Sequence, residues 1–495
     1  MSEATQEKTP FWLKDNFAPV FEERTEATLN VIGQIPEQLN GTLMRNGANP
    51  QSGESAHWFL GNGMLHGVKL EAGAAHWYRN RYVKTPLYLQ PEGDVMQGLG
   101  DMTMSAANTN VIQHAGKIMA LEEGHWPFEV SRDLETIGPN NYEGKLAGPM
   151  TAHPKICAET GELLAFSYGM APPYLTYLRI SAEGALLQSE QITVPGATMI
   201  HDFNITRNHV IFMDLPAVWN FEGMGDNGLP IVWDESYGAR LGVMPRSGSD
   251  ADVVWYEIDP CYVFHPLNAY EEGNNIVIDV CRMDDTMKPG SSSPPRLHRW
   301  VIDQTAGRVT ETQLDDRVVD FPRVCDSVVG LKHQFGYCAA FAGSAPYGEG
   351  LIKYDLSTGS SEYRHLNGGQ ASEAVFVKNV NGTAEDDGYL LSYVYQPEID
   401  QSEVLILNAQ DMQGDPVARI QLPVRVPCWF PRQLDGELAP LYKRWVLIQS
   451  LRAGSSAKGN PTTGRTQDGE SLPDSLTLMG CRFRGKPCSV RSLVD

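Results

Sequence analysis

The sequence predicts an all-β fold of many short strands, and three observations carry that reading. Short apolar runs recur along most of the chain, 47 glycines and 32 prolines punctuate them, and amphipathic helical periodicity is weak almost everywhere. The runs, in order, are GKIMALEE (116–123), GELLAFSYG (161–169), HVIFMDLP (209–216), NNIVIDVCR (274–282), QFGYCAAF (334–341), EAVFVKN (373–379) and GYLLSYVY (388–395). Each is four to nine residues of apolar and β-branched character between turn residues, the signature of a strand. So many strands exceed one sandwich and suggest a large barrel or a propeller. No WD or kelch repeat is present, so periodicity alone does not choose between them. Ala217–Arg246, with three glycines in GMGDNG, and Lys288–Pro295 read as long irregular loops, which on a β scaffold often cover a site.

At 495 residues, with 42% hydrophobic and 20% charged residues, the chain has ordinary globular composition and enough length for a substantial core. Its net charge of −22 disfavours nucleic acid and anionic membrane surfaces as partners. That charge is uneven: residues 428–495 hold 10 Lys+Arg against 6 Asp+Glu. The first residues, MSEATQEKTPFWLKDN, lack the basic and apolar regions of a signal peptide, and no run is apolar enough to span a bilayer. Eight cysteines without a CxxC pair form neither a disulfide framework nor a zinc site, which predicts a reducing, cytoplasmic setting.

Three of the 12 histidines share one local setting: MTAHPK (His153), MIHDFNIT (His201) and YVFHPLNAYEE (His265). Each sits at or near an apolar strand run. Their spacing rules out a zinc finger or an HExxH helix and fits ligands from separate strands that converge on one axis. Imidazoles without nearby Cys suit Fe, Cu, Ni or Zn, with carboxylates accepting the free ring N–H. Any one of them alone is more often a satisfied half-buried residue. Spacing leaves the metal and the chemistry open.

Longer motifs add a resemblance. GTLMRNGANP (41–50), HWFLGNGMLHGV (57–68), ANTNVIQHAGKIMALEEG (107–124), PPYLTY (172–177), MIHDFNIT (199–206), FHPLNAYEE (264–272) and EDDGYLL (385–391) occur in the order found in carotenoid cleavage oxygenases. The chain resembles that family, which includes apocarotenoid and lignostilbene dioxygenases, over nearly all of residues 15–427. The resemblance implies a seven-bladed β-propeller with a loop cap over one axial Fe(II) per chain. It also implies cleavage of a carbon–carbon double bond by O₂ to carbonyl products. His153, His201 and His265 fall on three of the family's four iron-ligand positions. Glu123, Asp320 and Glu373 fall on the three acids that accept the imidazole N–H groups. The family's acid before Phe-Pro is a Glu, so the shorter Asp320 implies a longer or water-bridged bond to its imidazole.

The resemblance also bears on substrate, a lipophilic polyene or a stilbene-like molecule together with O₂; it implies no obligate protein partner. Stilbene cleavers carry a Lys directly before the first acid, facing the substrate's phenol oxygen. Here that position is Glu122, of opposite charge, which favours apocarotenoid-like polyenes. Phe59, Trp219 and Phe221 join Glu122 as residues expected to line a substrate tunnel. Trp219, Phe221 and Trp233 would line an apolar mouth or meet a membrane surface peripherally, or else serve as loop packing.

The C-terminal segment departs from the family. The pattern Val-Pro-x-Gly-Phe-His-Gly, whose His is the fourth iron ligand, stops here after Val426-Pro427, and Pro431 stands at the His position. No histidine follows His365. Codons permitted for 428–438, read with the first nucleotide of codon 428 dropped, give Ala-Gly-Phe-His-Gly-Asn-Trp-Met-Glu-Ser and a stop. The expectation is therefore a single propeller domain over 1–427 and a frameshifted tail over 428–495 without native structure. Taken as it stands, the tail makes a catalytically impaired, lipophile-binding protein the alternative reading.

Overall fold

The computed structural model describes residues 9–90, 100–220, 230–288, 293–342, 347–371 and 373–427, and in addition the strand backbone of Trp445–Gln449. Its strands form seven antiparallel sheets, the blades of a β-propeller, and one small hairpin. Four sheets are simple meanders that follow one another along the chain. The third, for example, runs Lys155–Ile156, Leu163–Tyr168, Leu175–Ile180 and Leu186–Ile192. All seven apolar runs read from the sequence contain strands, from Lys117–Leu121 to Gly388–Gln396.

The ring closes non-locally. Asn30–Gly33 adds to the last sheet by pairing with Ala418–Gln421, while the chain continues into the first sheet through Gly41–Ala48. Gly33 has φ +88°, and a Cβ there would lie 2.4 Å from the Val417 carbonyl oxygen, so only glycine makes this turn. Apolar faces then cement neighbouring blades. Leu43, Val68 and Tyr78 of the first sheet pack on Leu391, Val404 and Ile420 of the last. Each such side chain, when fully buried, contributes about 1.5–3 kcal/mol. Asparagine amides tie the blades at the centre. Asn46 Nδ2 donates to the carbonyls of Ala107 and Asn110, and Asn110 Nδ2 donates to that of Ala152, one residue before His153.

One expectation changes. Ala217–Arg246 is not an irregular loop: Ala217–Trp219 pairs with Ile231–Trp233, and Ala239–Pro245 is a full strand of the fourth sheet. The glycines of GMGDNG suggested a loop, but IVW and ARLGVMP on their far side carry strand-forming residues that find a partner edge; residues 221–229 lie outside the described residues. In the segment expected to lack native structure, Trp445–Gln449 pairs antiparallel with Gly41–Arg45 of the first sheet. That strand of the first sheet is buried along its whole length. The remainder of 428–495 lies outside the described residues. No described helix is long and apolar enough to cross a membrane.

Candidate metal centre

The three histidines enter the centre from three consecutive blades. His153 lies two residues before the inner strand of the third sheet, His201 three residues before that of the fourth, and His265 within Tyr262–Glu272 of the fifth. They are 1%, 1% and 7% exposed. Ring centroids of His153 and His201 are 4.3 Å apart, and that of His265 is 5.8 and 5.7 Å from them. One donor atom of each ring lies within 4.8 Å of the other two. A buried ion pair sets the first two strands against each other: Lys155 Nζ lies 2.6 Å from Asp202, and these residues flank His153 and His201. Thr151 Oγ1 accepts the His153 backbone N–H at 3.0 Å and fixes the turn ahead of the ring.

Two of the three expected acids face these rings. Glu123 Oε1 lies 2.5 Å from His201 Nδ1. His265 Nδ1 donates to Asp320 Oδ1 at 2.6 Å. This bond is direct and short, against the expectation of a longer or bridged one. The backbone makes up the missing methylene: the register of Val319–Arg323 shifts between Asp320 and Arg323, Phe321 has φ +56°, and the Phe321 N–H donates to the same carboxylate oxygen. With Nδ1 of His201 and His265 turned to carboxylates, Nε2 is the ring atom each has left for a metal. Glu373 is also buried, and its Oε1 lies 3.3 Å from Arg323 Nε. The position it would serve, Pro431, lies outside the described residues.

A cavity of about 850 Å³ adjoins this cluster and shares Glu123 with it. Its wall is largely apolar, with Trp58, Phe59, Met104, Leu146, Met170 and Trp219 among the lining residues. Of the expected tunnel residues, Phe59, Glu122 and Trp219 line it, and Phe221 lies outside the described residues. Trp233 does not line it; it packs on the large core cluster and donates through Nε1 to Glu235. No Lys or Arg is among the described residues of the wall.

Two residues of this region carried no chemical signal in the sequence. Tyr168 donates its O–H to Glu123 Oε2 at 2.5 Å, so Glu123 is held on one oxygen by Tyr168 and faces His201 with the other. Burial, and then the Glu123 charge, push the Tyr168 phenol well above its ordinary pKa and keep it a donor. His125 pairs through Nδ1 with Glu122. Tyr168→Phe should therefore loosen the carboxylate behind His201 and weaken metal binding by about tenfold, the lower end for groups supporting a ligand. Competition for the metal with a chelator of known affinity measures this, and an unchanged affinity would remove Tyr168 from the site.

Three buried imidazoles with carboxylates behind two of them are a donor set suited to iron and to neighbouring transition metals. The family profile described as retinal pigment epithelial membrane protein matches residues 17–430. A carotenoid cleavage oxygenase of Mycobacterium tuberculosis is 36% identical, covering 89% of this chain and 99% of that protein. A carotenoid 9,10(9′,10′)-cleavage dioxygenase of Crocus sativus is 34% identical over 85% of this chain and 88% of its own. Among solved structures, Pseudomonas brassicacearum lignostilbene dioxygenase superposes with a TM-score of 0.78 at 27% identity, covering 89% and 99% of the two chains. Cobalt-substituted Synechocystis apocarotenoid oxygenase gives 0.77 at 26% identity, covering 88% and 98%.

Proposed function

The chain belongs to the RPE65 and carotenoid cleavage oxygenase family, enzymes that cleave an alkene oxidatively, and we propose that its own substrate is an apocarotenoid-like polyene. The observation that carries the substrate class is the largely apolar cavity whose wall includes Glu123, which faces His201. Its volume is that of a pocket for a lipophilic small molecule. In this reading His153, His201 and His265 hold one Fe(II), Glu123 and Asp320 fix the orientation of two rings, and Glu373 stands at the third supporting position. Iron bound there supplies the activation of O₂. In the overall reaction the carbon–carbon double bond breaks and each carbon gains one oxygen as a carbonyl, so alkene and O₂ balance two carbonyl products. The chain's own part is to hold the imidazoles directed, to seat the alkene beside them, and to keep water out with the apolar wall. No nucleophile or general base is required.

The test is incubation of the iron-loaded protein with a panel of polyenals in air and under argon. Loss of polyene absorbance in air only, with aldehyde products by mass, supports the reading. A panel in which only stilbenes are consumed would replace the substrate class. The wall itself argues against that outcome, because among the described residues it holds no Lys or Arg to face a phenolate. The kcat/KM for 4-hydroxystilbene should accordingly fall at least tenfold below that of the best polyenal. Equal values would show that the wall does not select by charge.

A further inference from the structure

We propose that His125, held by Glu122, recognises a neutral oxygen acceptor on the alkene, a hydroxyl or an aldehyde carbonyl, and thereby fixes which double bond meets the histidine cluster. The proposal rests on the alkene-cleaving reading above. It starts from the polar groups of an otherwise apolar cavity. Most have their bonding capacity used within the wall. Glu123 is taken by Tyr168 and His201, and Asn108 Nδ2 donates to the carbonyls of Phe59 and Gly61. Glu122 Oε2 accepts the Gly124 N–H at 2.8 Å, and its Oε1 accepts from Ser105 Oγ at 3.4 Å and pairs with His125 Nδ1. Thr176, Ser189 and Gln191 belong to the two outer strands of the third sheet, away from the axis.

His125 is different. With Nδ1 committed to Glu122, its Nε2 has no hydrogen-bond partner among the described residues, and the ring keeps 28% of its side-chain exposure while lining the cavity. The Met150 N–H donates to the His125 carbonyl and anchors its backbone. Burial alone would lower the His125 pKa; the Glu122 bond, the Glu122 charge and Asp101 reverse this and raise it above the ordinary value. The raised pKa favours the protonated ring, whose Nε2–H is a charge-assisted donor turned to the cavity and suited to an acceptor oxygen. Glu122 is the residue next to Glu123, which faces His201, and all three of Glu122, Glu123 and His125 line the same cavity. A substrate anchored there places its double bonds at set distances from the histidines.

The test uses three polyenes of one chain length, ending as aldehyde, alcohol and hydrocarbon. They are titrated into the full iron-free chain by quenching of tryptophan fluorescence, since Trp58 and Trp219 line the cavity. The aldehyde and alcohol should bind about 10- to 100-fold tighter than the hydrocarbon, the range for a hydrogen bond to a charged group. His125→Phe should erase that preference and leave hydrocarbon affinity within about twofold, while His125→Gln, which keeps a donor, should retain part of it. Far-UV circular dichroism confirms the fold of each variant. Equal affinities in the unaltered protein, or a preference that survives His125→Phe, would overturn the proposal. If the preference follows His125 but the iron-loaded chain cleaves none of the three, the alkene-cleaving reading fails and the recognition stands.

Discussion

His201→Ala is expected to abolish alkene cleavage and to lower iron affinity by more than the roughly 10–100-fold typical of changing a group that supports a ligand. His201 is 1% exposed, packs 4.3 Å from His153 by ring centroid, and faces Glu123, which Tyr168 holds from behind. The substitution removes a donor atom and also the N–H that the buried carboxylate faces. Tyr168 still donates to Glu123, and the blades pack through side chains remote from His201, so the β-sheet spectrum should not change. Iron per chain after equilibration with a chelator, together with turnover, reads the effect. Glu123→Gln serves as the graded comparison, with the ligand retained and only its support weakened. Full activity in His201→Ala would sink the metal assignment.

The second large effect concerns the C-terminal frame. A chain that reads Ala-Gly-Phe-His-Gly-Asn-Trp-Met-Glu-Ser from position 428 and then stops should bind iron at least about tenfold more tightly than the 495-residue chain, because a fourth imidazole joins three already gathered. Its turnover should rise in step. Glu373, the acid proposed for that imidazole, is 3% exposed on the last blade, and Val426 packs in the core shared by the first and last sheets. Equal iron binding and equal turnover in the two chains would show that the family's Gly-Phe-His frame has no role here. Sequencing codon 428 from the natural source, with the intact mass of the native protein, tests the origin of the tail directly. A mass matching all 495 residues would make the three-histidine chain the natural one.

Much of the site was legible because its signals are local. The strands showed as short apolar runs with turn residues between them, since a pleated, buried strand demands that composition wherever it sits. His153, His201 and His265 stood out because each lies in a motif of its own, and the motifs place them on or just before the inner strands of separate blades. Glu123 and Asp320 followed from their neighbours in the same way. The hairpin and strand within 217–246 are not legible locally, because the glycines of GMGDNG mask strand-forming residues whose pairing depends on a partner edge.

By itself, then, the sequence determined the all-β class, the three converging histidines and the family chemistry, all of which rest on residues adjacent in the chain. Only the tertiary structure decided how their supports act. The bulge after Asp320 lets a shorter acid reach His265 directly, and no count of methylenes could show that. Tyr168 meets Glu123 across 45 residues and two sheets, a contact that depends on how the blades are set around the axis. Glu122, read from the sequence as a bare negative charge in the substrate path, is paired with His125 three residues on. That pairing occupies the carboxylate and leaves the imidazole facing the cavity. Electrostatics in a cavity depends on which groups face one another within a few ångströms, and such facing is set by packing.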